Sequence, residues 1–232
     1  MVGSMQYKAL FLDLDNTIVN SNLAYLNALK SLFKSYSFLN FDLYNASRLI
    51  VKKRMPKHDT SARNRAIYFK VMLERIGMFS PKLMEKILDH YESMLYMDIH
   101  NQVHSLSRRS LLEKLSSILP IAVITNENLR TQIIKLKAID PESRFFNAII
   151  TSEEAGYEKP HKRIFELSLE AMGCKPEESF MVGDSLECDI IPSKNIGMNA
   201  VLTREFDYSV GQEFSGFCIK KLDEIVPLVT VG

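Results

Sequence analysis

Five short apolar runs, unevenly spaced, limit most strongly what this chain can fold into. They are Ala9–Leu12, Ile121–Thr125, Ala148–Thr151, Phe180–Gly183 and Ala200–Thr203. Runs this short and this continuously apolar read as strands buried on both faces. Three of the intervals between them carry a helical pattern: Thr131–Ile139, His161–Met172 and Cys188–Ile196. In the second, Ile164, Phe165, Leu167, Ser168 and Met172 recur at helical spacing, and Gly173 supplies a C-terminal stop. Strands alternating with helices predict a parallel, Rossmann-like α/β sheet.

The first interval breaks the rhythm. About 100 residues separate Asp15 from Ile121, far more than one crossover helix needs. The stretch reads as helical throughout. Leu23, Leu26, Leu29, Leu32, Phe33 and Tyr36 form one apolar face, and Ala66, Ile67 and Val71 begin another. Ser80-Pro81 is a helix start, a capping hydroxyl followed by proline at the first position. Leu83, Met84, Ile87, Leu88, Tyr91, Met94 and Leu95 follow it, and Arg108–Ile118 reads as a helix feeding the second strand. The sequence therefore predicts a core of residues 6–20 and 105–232 with an inserted all-helical cap domain, residues 21–104. The Met and aromatic stripes of the cap are its packed core.

Composition excludes several classes. Of 232 residues, 46% are hydrophobic and 25% charged, which fits a globular protein and not a disordered one. No apolar run approaches the roughly 20 residues that span a membrane. Cys174, Cys188 and Cys218 have no metal-site spacing, and their odd number argues against a disulfide framework. These features predict a reduced, cytoplasmic protein, a monomer or small homo-oligomer. The net charge of +1 hides an asymmetry: residues 21–104 hold 13 Lys plus Arg against 7 Asp plus Glu. The remainder is correspondingly acidic. No stacking pattern or motif supports nucleic-acid binding. The five histidines form no metal-ligand pattern; His161 reads as a helix-start residue, and His58 sits in the basic part of the cap.

Polar residues gather behind the apolar runs, where open parallel sheets bind ligands. Asp13, Asp15 and Thr17 follow the first. Thr125 and Asn126 end the second. Lys159 comes after the third, and Gly183-Asp184 through Asp189 ends the fourth. Alternation along an extended chain puts Asp13 and Asp15 on one face. Two close carboxylates repel unless a cation or a shared proton compensates them. That marks a candidate Mg²⁺ site and a candidate carboxylate nucleophile.

In that order and spacing the residues resemble the haloacid dehalogenase-like superfamily. Asp13 to Thr17 is similar to its first motif, Thr125 to its second, Lys159 to its third and Gly183 to Asp189 to its fourth. The insertion resembles that family's type 1 helical cap. The resemblance implies a Mg²⁺-dependent phosphatase of a small phosphorylated metabolite. It implies Asp13 as nucleophile and Asp15 as general acid, then base. It places the metal on the Asp13 carboxylate, the Asp15 backbone carbonyl and Asp184. Thr125, Asn126 and Lys159 would hold the phosphoryl oxygens, and Thr17 and Asp189 would support the site. Asp15 favours phosphoryl transfer over dehalogenation, because an alcohol leaving group needs a proton and a halide does not. A phosphomutase of the β-phosphoglucomutase type and a catalytically silent binding protein are the alternatives. Two departures stand out. Asn16 occupies a position where the family most often has glycine, and Ile191-Pro192-Ser193 replaces a segment that is usually small. Neither removes a reacting group. The basic cap predicts that one or two of Lys52, Lys53, Arg54, Lys57, Arg63 and Arg65 face the cleft.

Overall fold

A computed structural model, which describes residues 7–56, 59–206 and 218–230, buries the first, second and fourth apolar runs throughout, whereas Ala148, Ile149 and Ala200 of the third and fifth are half-buried. Lys57 and His58 lie outside the described residues. The strands are β1 (Ala9–Leu12), β2 (Ile121–Thr125), β3 (Phe146–Thr151), β4 (Ser179–Gly183), β5 (Asn199–Thr203) and β6 (Cys218–Ile219). They form one parallel sheet in the order β3-β2-β1-β4-β5-β6. The chain leaves β1 toward β2 and β3 on one side, then crosses to β4, β5 and β6 on the other. Such a reversal opens a crevice at the carboxyl ends of the central strands. β6 was not foreseen: two residues carry no readable apolar run.

Two-residue alternation divides β1 between the faces of the sheet. Ala9 and Phe11 pack with Ile164, Phe165 and Leu169 of α8 (Lys162–Met172). Leu10 and Leu12 join the other cluster, with Leu112 and Leu115 of α5 (Arg108–Ile118) and Ala138 and Ile139 of α6 (Leu129–Ile139). α8 starts and stops as its sequence predicts. His161 caps it by accepting from Arg163 N at 3.2 Å, and Gly173 ends it at φ 60°. α7 (Ser152–Ala155) is a single turn after β3, and α10 (Val226–Thr230) closes the described chain. The predicted helix over Cys188–Ile196 is instead a wide π turn, Leu186–Ile190, running into α9 (Ile191–Asn195). Pro192 in the first turn of α9 has no N–H to give to a regular helical ladder.

The insert is helical, as predicted: α1 (Ser21–Ser35), α2 (Phe41–Arg54), α3 (Arg65–Arg75) and α4 (Pro81–Ser105). Ser80 caps α4, its Oγ accepting from Leu83 N at 3.2 Å. α4 runs past Leu95 because Ile99 and Val103 extend the buried stripe. α1 packs on α4, α2 on α3, and α4 on α6 of the sheet layer. At the junction, Gln102 of α4 clamps Asn20 ahead of α1. Its Oε1 accepts from Asn20 N at 2.8 Å and its Nε2 donates to Asn20 O at 3.1 Å. Among the described residues no helix is long and apolar enough to cross a membrane.

Arg108, at the start of α5, ties the loop after β1 to the segment after β5. It is 3% exposed. Its Nε donates to Ile18 O at 2.7 Å and its guanidinium pairs with Glu205 at 2.6 Å. Removing one partner of a buried pair strands the other. Arg108→Met should lower the unfolding free energy by ~3 kcal/mol in a urea titration. A loss below ~1 kcal/mol would show that Glu205 is adequately solvated without it.

Candidate active site

Four loops at the carboxyl ends of β1, β2, β3 and β4 converge on a cavity of about 410 Å³. Asp13, Asp15, Thr125, Asn126, Lys159, Asp184 and Asp189 all line it, so the sequence-predicted residues come together. Thr17 does not line it; its hydroxyl is buried without a partner beneath the β1 loop. A larger cavity of about 580 Å³ lies between α3, α4 and α6, walled by apolar residues such as Phe69, Phe79 and Leu88. It holds none of the motif residues, so the chemistry belongs to the smaller one.

Lys159 is the centre of the constellation. It is 3% exposed, and its Nζ donates to Asp13 Oδ1 and Asp189 Oδ1, both at 2.6 Å, and to Ile124 O at 3.0 Å. Burial alone would lower the ammonium's pKa, but Asp13 and Asp189 outweigh it and hold Lys159 above the usual lysine range. Asn126 fixes the backbone of Lys159. Its Oδ1 accepts from Lys159 N at 2.6 Å and its Nδ2 donates to Lys159 O at 3.0 Å. One amide hydrogen of Asn126 is left for the cavity.

Gly183 is required here by space. A Cβ at this position would fall on the Asp189 side chain, well inside van der Waals contact. Asp189 lies flat over the strand end, its Oδ2 accepting from Ser185 N at 3.0 Å. Asn16 adopts φ 58°, so asparagine serves the turn where the resemblance leads one to look for glycine.

Thr125 Oγ1 accepts from Glu127 N at 3.2 Å and from Gln132 Nε2 at 2.8 Å. With both lone pairs engaged, its own hydrogen is free to donate. Asp15 is held by partners that motif reading missed. Lys135 Nζ pairs with its Oδ1, Gln132 Nε2 donates to its Oδ2 at 2.8 Å, and Tyr25 OH donates to Oδ1 at 3.3 Å. Burial would raise the Asp15 pKa, but the Lys135 ammonium and its hydrogen bond outweigh that, holding the carboxyl well below its usual range. Gln132 and Lys135 lie inside the predicted helix, and nothing in their spacing distinguishes them from its other polar positions.

The acidic side is under strain. Asp13, Asp184 and Asp189 bring carboxylate oxygens within 4.8 Å of one another. Burial first, then Asp189 and Asp184, push Asp13 well above the carboxylate range, with Lys159 opposing. Burial and then Asp189 push Asp184 up to about 7. Asp13 Oδ2 is buried with no hydrogen-bond partner. A small hard cation fits this donor set: oxygen ligands only, excess negative charge, and one carboxylate oxygen otherwise unsatisfied. The carboxylate of Asp15, a residue expected among the metal ligands, is turned to Lys135 and is not part of the cluster.

Cap cations also reach the cavity. Arg63 and Arg65 line it, as two of the six predicted positions, and Arg48 joins them; Lys52, Lys53 and Arg54 do not line it. Arg63 pairs with Glu158 and Arg65 with Glu127, at 2.8 and 2.9 Å. Arg48 has no carboxylate partner among the described residues.

A sequence model of haloacid dehalogenase-like hydrolases matches residues 10–203, and the chain belongs to that family. It is 30% identical over 228 residues to the glyceraldehyde 3-phosphate phosphatase of Methanocaldococcus jannaschii, covering 96% of both chains. It is 28% identical over 240 residues to the ribulose-1,5-bisphosphate 5-phosphatase of Halopiger xanaduensis, covering 96% of this chain and 99% of the relative. Among solved structures, the magnesium-bound HAD-hydrolase YfnB of Bacillus subtilis aligns with a TM-score of 0.69 at 22% identity, over 97% of this chain and 100% of that one. At that identity the likeness speaks for the fold alone.

A carboxyl whose pKa is raised on folding stabilises the fold while it is protonated. That contribution is fully present below the unfolded value of 3.8 and is lost as pH rises through the folded value of about 7. In EDTA, the melting temperature should therefore fall between about pH 5 and about pH 8, by on the order of 5 °C. Asp184→Asn should flatten that slope. An identical slope in the variant would show that Asp184 ionises normally in the folded protein.

Proposed function

We propose that the protein is a phosphatase that transfers the phosphoryl group of a small phosphomonoester to Asp13 and then to water. The observation that carries this reading is the placement of a buried carboxylate, Asp13, against a buried ammonium, with one of its oxygens unpartnered. Mg²⁺ would be held by Asp13, Asp184 and the Asp15 carbonyl, where it would supply positive charge to a phosphate approaching an anionic nucleophile.

In the first half-reaction an Asp13 oxygen bonds to phosphorus, the bond from phosphorus to the ester oxygen breaks, and Asp15 gives that oxygen a proton. In the second, water attacks the phosphoryl group and Asp15 takes the water's proton. The proton gained in one turnover is thus the one donated in the next. Lys135 favours the ionised Asp15, which suits the second step. A dianionic phosphate beside Asp15 raises its proton affinity for the first. Lys159 and the free hydrogen of Thr125 bind the phosphoryl oxygens, and Asp189 orients Lys159.

The relatives named above are phosphatases, which places hydrolysis ahead of phosphomutase chemistry. The intact acid pair and lysine support an active enzyme over a silent binding protein. The substrate class that fits best is a small phosphorylated sugar or sugar acid. The cavity is small, and the helices α1 to α4, as a cap over the loops, exclude macromolecules. A second anionic or strongly polar group on the substrate would find Arg48.

The test is release of phosphate from p-nitrophenyl phosphate with Mg²⁺. Asp13→Asn should reduce the rate by ~10⁴-fold or more, as loss of a covalent nucleophile does, and excess EDTA should abolish it. Substantial activity in either case contradicts the mechanism. A second measurement addresses the cap. Arg48→Ala should raise KM at least ~5-fold for a phosphorylated sugar acid and change that for p-nitrophenyl phosphate less than ~2-fold. Equal effects on both would remove Arg48 from substrate recognition.

A further inference from the structure

One buried charge, Lys135, touches Asp15 without lining the cavity. Lys135 has no exposed surface, and an ammonium removed from water must be matched. Its match is Asp15, joined by the Tyr25 hydroxyl, to which Lys135 Nζ donates at 2.5 Å. Gln132, three residues earlier and so on the same face of α6, donates to Asp15 Oδ2 and to Thr125 Oγ1, both at 2.8 Å. Each oxygen of the Asp15 carboxylate therefore carries a donor, and the donors come from two elements, α6 beside the sheet and α1 of the insert.

We infer that Lys135, Gln132 and Tyr25 are positioning residues that fix the direction in which Asp15 exchanges its proton with the substrate. This rests on the phosphatase reading. Asp15 stands on a turn with the left-handed residue Asn16 beside it, and its side chain has two rotatable bonds. Three donors reduce that freedom to one orientation. Gln132 also sets the distance between the carboxylate and the phosphate seat at Thr125. Neither Gln132 nor Lys135 lines the cavity, so their effect must pass through Asp15 or Thr125. Tyr25 links the arrangement to the insert. The Arg65 guanidinium lies 3.4 Å from its ring centroid and is tied in turn to Glu127. Asp15 thus has its third donor only while α1 and Arg65 are seated over the site.

The experiment compares, within a single turnover, the rate of phosphoryl transfer to Asp13 from an alkyl phosphate, whose leaving group needs a proton, with that from p-nitrophenyl phosphate, whose leaving group does not. Lys135→Met should lower that first-step rate for the alkyl ester by ~100-fold, the size of loss that misplacing a catalytic group by an ångström produces, with the half-saturating substrate concentration little changed. For the aryl ester the loss should stay below ~5-fold. Tyr25→Phe keeps the ion pair and should show the same preference at smaller size; it decides the matter if Lys135→Met does not fold. In an Asp15→Asn background, Lys135→Met should add less than ~2-fold, because the group it acts through is gone. Equal losses on both esters, or an undiminished loss in the Asp15→Asn background, would reduce Lys135 to a structural role. If Asp15→Asn discriminates between the esters and these variants do not, the positioning inference alone fails. If Asp15→Asn does not discriminate either, Asp15 is not the acid and both readings fall.

Discussion

The buried ammonium of Lys159 is the interaction on which the site depends. It lies between Asp13 and Asp189, 2.6 Å from each. Without it, three carboxylates would share a few ångströms of low-dielectric space at the end of a fully buried strand. One positive charge cannot neutralise three negative ones, and the residual imbalance appears in the raised proton affinities of Asp13 and Asp184. The same imbalance that destabilises the empty cluster gives it affinity for a cation and for a proton. Outside the cluster, the parallel sheet holds β1 and the Gln102 and Arg108 bonds hold the segment that follows it.

Two ammonium–carboxylate pairs divide the work of the two aspartates on the β1 loop. Lys159 faces Asp13 from the β3 side and shares it with Asp189. Lys135 faces Asp15 from α6 and leaves it ionised. Carboxylates two positions apart in one loop thereby acquire opposite tendencies: Asp13 pushed toward protonation by burial and its acidic neighbours, Asp15 pulled away from it. The difference comes from the environment, since the residue type is the same.

Much of this was legible in the chain. Strands β1, β2 and β4 are apolar runs because both faces of a central parallel strand are buried, and residues that follow the first four runs line the cavity. The helical insert was legible from its length and its stripes. The Asn16 turn and the caps at Ser80 and His161 follow from local chemistry alone. What escaped reading depends on contacts between distant segments. Gln132 and Lys135 look like ordinary polar positions of α6 until the fold carries Asp15 to them across 117 and 120 residues. Arg48 reaches the cavity from a helix whose orientation no periodicity specifies. The π turn before α9 arises from Pro192 acting on the turn that also carries Asp189. β6 is too short to announce itself.

The central claim is that Asp13 carries the phosphoryl group between substrate and water. Acid quenching within a single turnover, followed by proteolysis and mass spectrometry, tests it most directly. The account predicts an acid-stable, base-labile phosphate on the peptide containing Asp13, absent in Asp13→Asn. Rapid turnover with no phosphate on Asp13 at any quench time, and Asp13→Asn still active, would contradict it and point to direct attack by water.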